Sequence, residues 1–97
     1  MDIELNLSRH CIETAIRRRY NAAISLYFKA TADQDTLEAE IDLLRRALLV
    51  FDFHRLRSHW PDLGGHTACQ VRLVDDENGD PLLRLAGTRI KPPAASA

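Results

Sequence analysis

Ala47-Leu48-Leu49-Val50-Phe51-Asp52-Phe53 is the densest apolar run in this chain of 97 residues, and its reading decides the fold. The run continues a stretch of helical periodicity. At about 100° per residue, Leu48, Leu49, Val50, Phe51 and Phe53 spread around nearly the whole circumference of one helix. A helix buried on every side needs neighbours on every side, and a short chain has few to offer. The angles separate into two stripes. Leu37, Ile41, Leu44 and Leu48 share one, and its continuation is Asp52, Arg55 and His59. Leu49, Phe53, Leu56 and Trp60 form another, rotated by about 100°, and its earlier turns are the polar Glu38, Asp42, Arg45 and Arg46. One helix therefore serves two neighbours. Either a first helix and a sheet cover both stripes within one subunit, aided by a kink, or a second copy of the chain covers Leu49, Phe53, Leu56 and Trp60. A large aromatic beside leucine is a common anchor in such contacts, and the homodimer is the reading carried forward.

The segment holding this run starts near Asp35, which pairs with Glu38 as an acidic capping box. It ends near Ser58, ahead of Trp60-Pro61. Acids gather in its first turns (Asp35, Glu38, Glu40, Asp42) and bases in its last (Arg55, Arg57), which suits the helix macrodipole. Upstream, Ser8 is a good N-cap for a helix reaching about Ala30. Its apolar stripe is Ile12, Ala15, Ile16, Tyr20, Ala23, Ile24, Tyr27 and Phe28. The short polar link between them makes an antiparallel helical hairpin. At the start of the chain, Met1, Ile3, Leu5 and Leu7 alternate with Asp2, Glu4 and Asn6 as in a half-buried strand. A simple hydrophobic staple between Leu7 and Ile12 would require less alternation.

Downstream, Cys69–Val74 and Leu82–Ala86 bracket Asp75-Asp76-Glu77-Asn78-Gly79-Asp80 and form a β-hairpin. A two-residue Asn78-Gly79 turn would mix apolar and charged residues on each face. A three-residue loop, Glu77-Asn78-Gly79 with Gly79 left-handed in a bulge, pairs Leu73 with Leu83 and Val71 with Leu85. It leaves Gln70, Arg72 and Arg84 outside. That cleaner partition selects the bulged loop. The predicted fold is α+β with the order β-α-α-β-β: an antiparallel helical hairpin on one face of a small antiparallel sheet of two or three strands. Residues 1–90 form a single domain, and the Lys91–Ala97 tail is disordered.

Composition narrows the class. An apolar fraction of 45% with 28% charged residues is ordinary for a globular protein, and a net charge of −1 disfavours a general nucleic-acid binder. The longest uninterrupted apolar run is five residues, too short for a membrane span. No signal peptide follows Met1, and two cysteines make no disulfide framework, so a cytoplasmic location is expected. Eleven arginines against two lysines suggest the coding bias of a GC-rich bacterial genome.

Four further clusters carry chemistry. Arg17, Arg18, Arg45 and Arg46 lie level across the helical hairpin and could bind an anion, RNA or DNA. Glu38, Glu40 and Asp42 nearby neutralise such a patch. Asp52, Arg55 and His59 could form a small polar site in which Arg55 holds an anion and His59 carries a proton. An Asp–Arg pair at a helix end beside a solvated histidine is the simpler reading. His54, His59, His66 and Cys69 match no common zinc spacing, and the Asp75–Asp80 turn lacks the ligand spacing of an EF-hand; no metal or cofactor is expected. Cys11, at the third helical position after Ser8, could have its thiol pKa lowered by the helix N-terminus, but a packed thiol is the simpler reading. Arg72 opposite Arg84 is unfavourable as a bare pair and calls for an acidic partner or an anion. These features predict a non-enzymatic regulatory or adaptor protein acting as a homodimer through protein–protein contacts. The alternative is a nucleic-acid- or anion-binding regulator using the arginines.

Overall fold

A computed structural model describes residues 1–7, 11–29, 33–59, 70–85 and 88–90. Strand β1 (Asp2–Asn6) is followed by helices α1 (Ile12–Lys29), α2 (Gln34–Val50) and α3 (Phe53–His59). Strands β2 (Gln70–Asp75), β3 (Pro81–Leu85) and β4 (Thr88–Ile90) complete the order. The four strands form one sheet in the order β1-β2-β3-β4, with every neighbouring pair antiparallel. The β-α-α-β-β pattern is thus present, with a helix divided in two and a fourth strand added beyond the three expected.

The alternation at the start of the chain is a strand. Ile3 and Leu5 are buried while Asp2, Glu4 and Asn6 are exposed, and Leu7 just beyond the strand is buried as well. Its partner is β2, in a register running from Asp2↔Val74 to Asn6↔Gln70. The hairpin register matches the bulged loop: Leu73 faces Leu83 and Arg72 faces Arg84. Its turn closes with the Gly79 amide donating to the Asp76 carbonyl at 3.1 Å and the Asp76 amide donating to the Asp80 carbonyl at 2.9 Å. Gly79 has φ of 81°, a left-handed conformation that glycine adopts without a Cβ penalty. The Asp76 carboxylate accepts the amides of Asn78 and Asp80 at 2.8 and 2.9 Å, so this acidic loop uses that side chain to brace itself.

The helices lie on one face of the sheet. Ile3, Leu5, Val71, Leu73 and Leu83 share a core with Ile12, Ile16, Leu43, Leu44 and Ala47, and with Phe51, Phe53 and Leu56. On the outer face, Arg72 reaches the Asp2 carboxylate of the adjoining strand at 3.0 Å, the acidic partner that the Arg72–Arg84 juxtaposition called for. Arg46 ties the layers together at the turn. Its guanidinium meets Asp42 at 2.9 Å and Asp75 at 2.8 Å, and donates to the Gly79 carbonyl.

Three helix boundaries differ from those predicted. The α1 helix starts at Ile12, so Cys11 and not Ser8 precedes it; the Ala15 amide donates to the Cys11 carbonyl at 3.0 Å. The α2 helix starts at Gln34. Asp33 holds the N-cap position in a left-handed conformation without a side-chain capping bond, so Asp35 lies within the first turn. Most consequential, the helix predicted to run unbroken to Ser58 stops at Val50. Phe51 is extended (φ −72°, ψ 134°), and the Asp52 carboxylate accepts the Arg55 amide at 3.1 Å, capping a new helix. The break has a packing cause. Residues 51 and 53 would point about 200° apart on a continuous helix, yet both phenylalanines are buried in one core with their rings edge-to-face at 5.9 Å. Asp52, a residue that favours caps over helix interiors, stands between them.

Candidate interaction surface

The core occupies only part of the helical hairpin. On α1 the last buried residue is Ala23, and on α2 the first is Leu43. The outer ends of both helices therefore form an arm that carries no buried residue, although Ile24, Leu26, Tyr27, Phe28 and Leu37 make it rich in large apolar side chains; the half-buried Ile41, at its base, still packs against the core. Phe28 is 81% exposed, and Leu26 is more than half exposed. Amphipathic helices hide such residues against a neighbour, and this pair of helices has run past the sheet that supplies one.

A groove of 240 Å³ runs between the helices of the arm, lined by Ile24, Tyr27 and Phe28 of α1 and by Glu38, Ile41, Asp42 and Arg45 of α2. The Tyr27 and Phe28 rings meet edge-to-face at 5.7 Å. Tyr27 donates its hydroxyl to the Glu38 carboxylate at 2.9 Å, and that acceptor and its charge raise the phenol's pKa. Asp42 is held at 3.0 Å by Arg45; hydrogen bonds from Arg45 and then Arg46 lower the pKa of its carboxyl. Both charge signs thus rim an apolar floor. Leu49 continues the same helical stripe as Glu38, Asp42 and Arg45, and is 72% exposed.

The contact surface predicted from Leu49, Phe53, Leu56 and Trp60 does not assemble from the described residues. Phe53 is 8% and Leu56 0% exposed, both inside the core of their own subunit because the break at Asp52 rotates α3 inward. Leu49 remains outside, and Trp60 lies beyond the described residues. Phe28, predicted within the buried stripe of α1, is instead among the most exposed apolar residues. A signal for it was present. Leu26-Tyr27-Phe28 is a second consecutive apolar run, spanning about 200° of helix and too wide for one stripe.

The other clusters are dispersed. Arg17 pairs with Glu13 at 3.1 Å, Arg19 with Glu40, and Arg45 and Arg46 with Asp42, while exposed Arg18 lines a shallow groove beside Glu4 between α1 and β1. Arg45 and Arg46 thus share Asp42, while Arg17 and Arg19 are each paired with a separate glutamate. Asp52 is engaged as the cap of α3, Arg55 is exposed, and the side chain of His59 falls outside the described residues. Among the described residues no group of histidine, cysteine and carboxylate side chains could hold a metal; His66 and Cys69 lie outside them. The Lys91–Ala97 tail and the loop of residues 61–67 are also outside the described residues.

Cys11 sits at the end of α1 beside α3. Its sulfur is 3.3 Å from the Thr14 hydroxyl and 3.7 Å from the Arg57 guanidinium, which also reaches Glu13 at 3.4 Å. Burial raises the thiol's pKa, but the Thr14 hydroxyl and amide and the Arg57 charge outweigh it. The net shift is downward.

These features describe a small two-layer α+β protein with an apolar-floored helical arm. A family model matches residues 1–84, and the chain belongs to that family. The matched span runs from β1 into β3, so it includes the whole arm and leaves out β4. An uncharacterized protein of Archaeoglobus fulgidus is 30% identical over 79 residues, covering 79% of this chain and 93% of that one. That relative is archaeal, and lends nothing to the bacterial origin suggested by arginine usage. No solved structure matches the chain.

Proposed function

We propose that this protein is a small non-enzymatic interaction module, a regulatory or adaptor protein of the cytoplasm, and that the helical arm is its working surface. One observation carries the reading: an arm without a single buried residue in Ile24–Lys29 or Asp33–Asp42 presents Phe28, Ile24, Tyr27 and Ile41 around an open groove. Exposed aromatic and aliphatic side chains rimmed by charge are the composition of a binding patch. The cytoplasmic assignment is consistent with a chain in which no helix among the described residues is long and apolar enough to cross a membrane.

A photo-reactive amino acid placed at position 28 in the living cell tests this. Discrete covalent protein adducts are expected there, and none when the probe replaces Arg84 on the outer sheet face. Equal labelling at both positions, or none at position 28, would remove the arm as the working surface.

A further inference from the structure

The outer face of the helical hairpin is self-complementary in the order of its charges. Phe28 stands one residue from the end of α1 and Leu49 one residue from the end of α2. In an antiparallel hairpin those two ends are opposite, so the two most exposed apolar residues mark the two ends of one face. Between them along α2 lie Glu38, Ile41, Asp42 and Arg45, acidic toward the tip and basic toward the base. A two-fold axis perpendicular to the hairpin near Ile41 and Asp42 reverses that order. With the hairpins face to face about that axis, α2 lies over the partner's α2 and Arg45 meets the partner's Glu38, the contact occurring twice.

We infer that the occupant of this groove is a second copy of the same chain, the two arms lying antiparallel to form a four-helix contact across the outer face of α1 and α2. This rests on the arm being the working surface. The polarity of the charges selects the occupant: an unrelated apolar helix would fit the floor, but the acid-to-base order from Glu38 to Arg45 along α2 is one that a two-fold axis pairs with itself. Arg45 can serve both roles, because a guanidinium has five donors and Asp42 engages one nitrogen. Ile24 and Ile41, both half-buried, supply the remaining apolar surface at the centre, and the exposed Phe28 gains a neighbour.

Sedimentation equilibrium of the full chain across a concentration series is the test, with circular dichroism confirming that each variant folds. The wild type is expected to dimerise. Phe28→Asp or Leu49→Arg, both at exposed positions that the fold does not need, should leave a folded monomer. Arg45→Glu alone and Glu38→Arg alone should each weaken the dimer about tenfold, since each brings like charges together twice. Mixing the two variants should restore association, because in the mixed dimer both pairs are again of opposite sign. A wild type that stays monomeric, or a dimer indifferent to Phe28 and Leu49, overturns the inference. So does a mixture no tighter than its components. A monomeric wild type whose position-28 probe still captures one discrete, different protein would remove the second copy while leaving the arm as the working surface; absence of capture would remove both.

Discussion

Phe53 and Leu56 on α3 and Phe28 and Leu49 on the helical hairpin are chemically alike and fare in opposite ways. The first pair is enclosed by the core, and the second stands in solvent. Neither helix propensity nor side-chain hydrophobicity distinguishes them. Position relative to the core does: α3 begins immediately after a break that turns its apolar side toward the core, Phe28 lies on the arm past Ala23, where the buried part of α1 ends, and Leu49 is on the side of α2 opposite its buried residues. Apolar residues turned toward the core are enclosed by it, and those beyond it or turned away from it stay in solvent.

The contrast predicts graded effects. Leu56→Ala should cost about 2–5 kcal/mol in chemical denaturation, because it leaves a cavity among fully buried neighbours. A loss below about 1 kcal/mol would mean that α3 is not docked as described. Asp52→Ala removes the cap that starts α3 and should cost about 1 kcal/mol. Amide exchange should then quicken in α3 before it does in α2. On the arm, Phe28→Ala should change stability by no more than about 0.5 kcal/mol, measured at low concentration so that association does not contribute. A large loss there would place Phe28 in a core and erase the comparison.

The smallest effect concerns Cys11, which reports whether α3 is seated beside α1. With its thiol pKa lowered, a larger thiolate fraction exists at any given pH below neutrality than for an ordinary cysteine. The rate–pH profile of alkylation should therefore have its midpoint below that of an unperturbed cysteine. Arg57→Ala removes a charge that favours the thiolate and should move that midpoint upward. An unchanged profile would detach Arg57 from the sulfur, and with it this end of α3 from α1.

Much of the sheet was legible because its signals are local. Alternation from Met1 to Leu7 marks a strand wherever that strand pairs, and Glu77-Asn78-Gly79 carries its own turn chemistry. The register of Leu73 with Leu83 follows from that turn and from the need to keep arginines off the core face. The pairing of β1 with β2 was not legible, since its partners are separated by most of the chain. Nor was β4, three residues long and defined by its hydrogen bonds to β3. The candidate surface was legible only in outline. The surplus of apolar residues at 47–53 was real, but the break at Asp52 consumes half of it internally, and the unsatisfied surplus is shared by Leu49 and the tip of α1.

Sequence alone therefore settled the β-α-α-β-β core order, the strand faces, the hairpin loop and the presence of more apolar surface than one stripe per helix can bury, but neither the break before α3 nor β4. These follow from periodicity and turn chemistry, which act over a few residues. Which apolar residues are inside and which face solvent was settled by how far each helix extends over the sheet and where the chain breaks to pack Phe51 and Phe53 together. Burial is a sum over contacts distant in the chain, and a phenylalanine at 28 and one at 53 carry the same local signal into opposite surroundings.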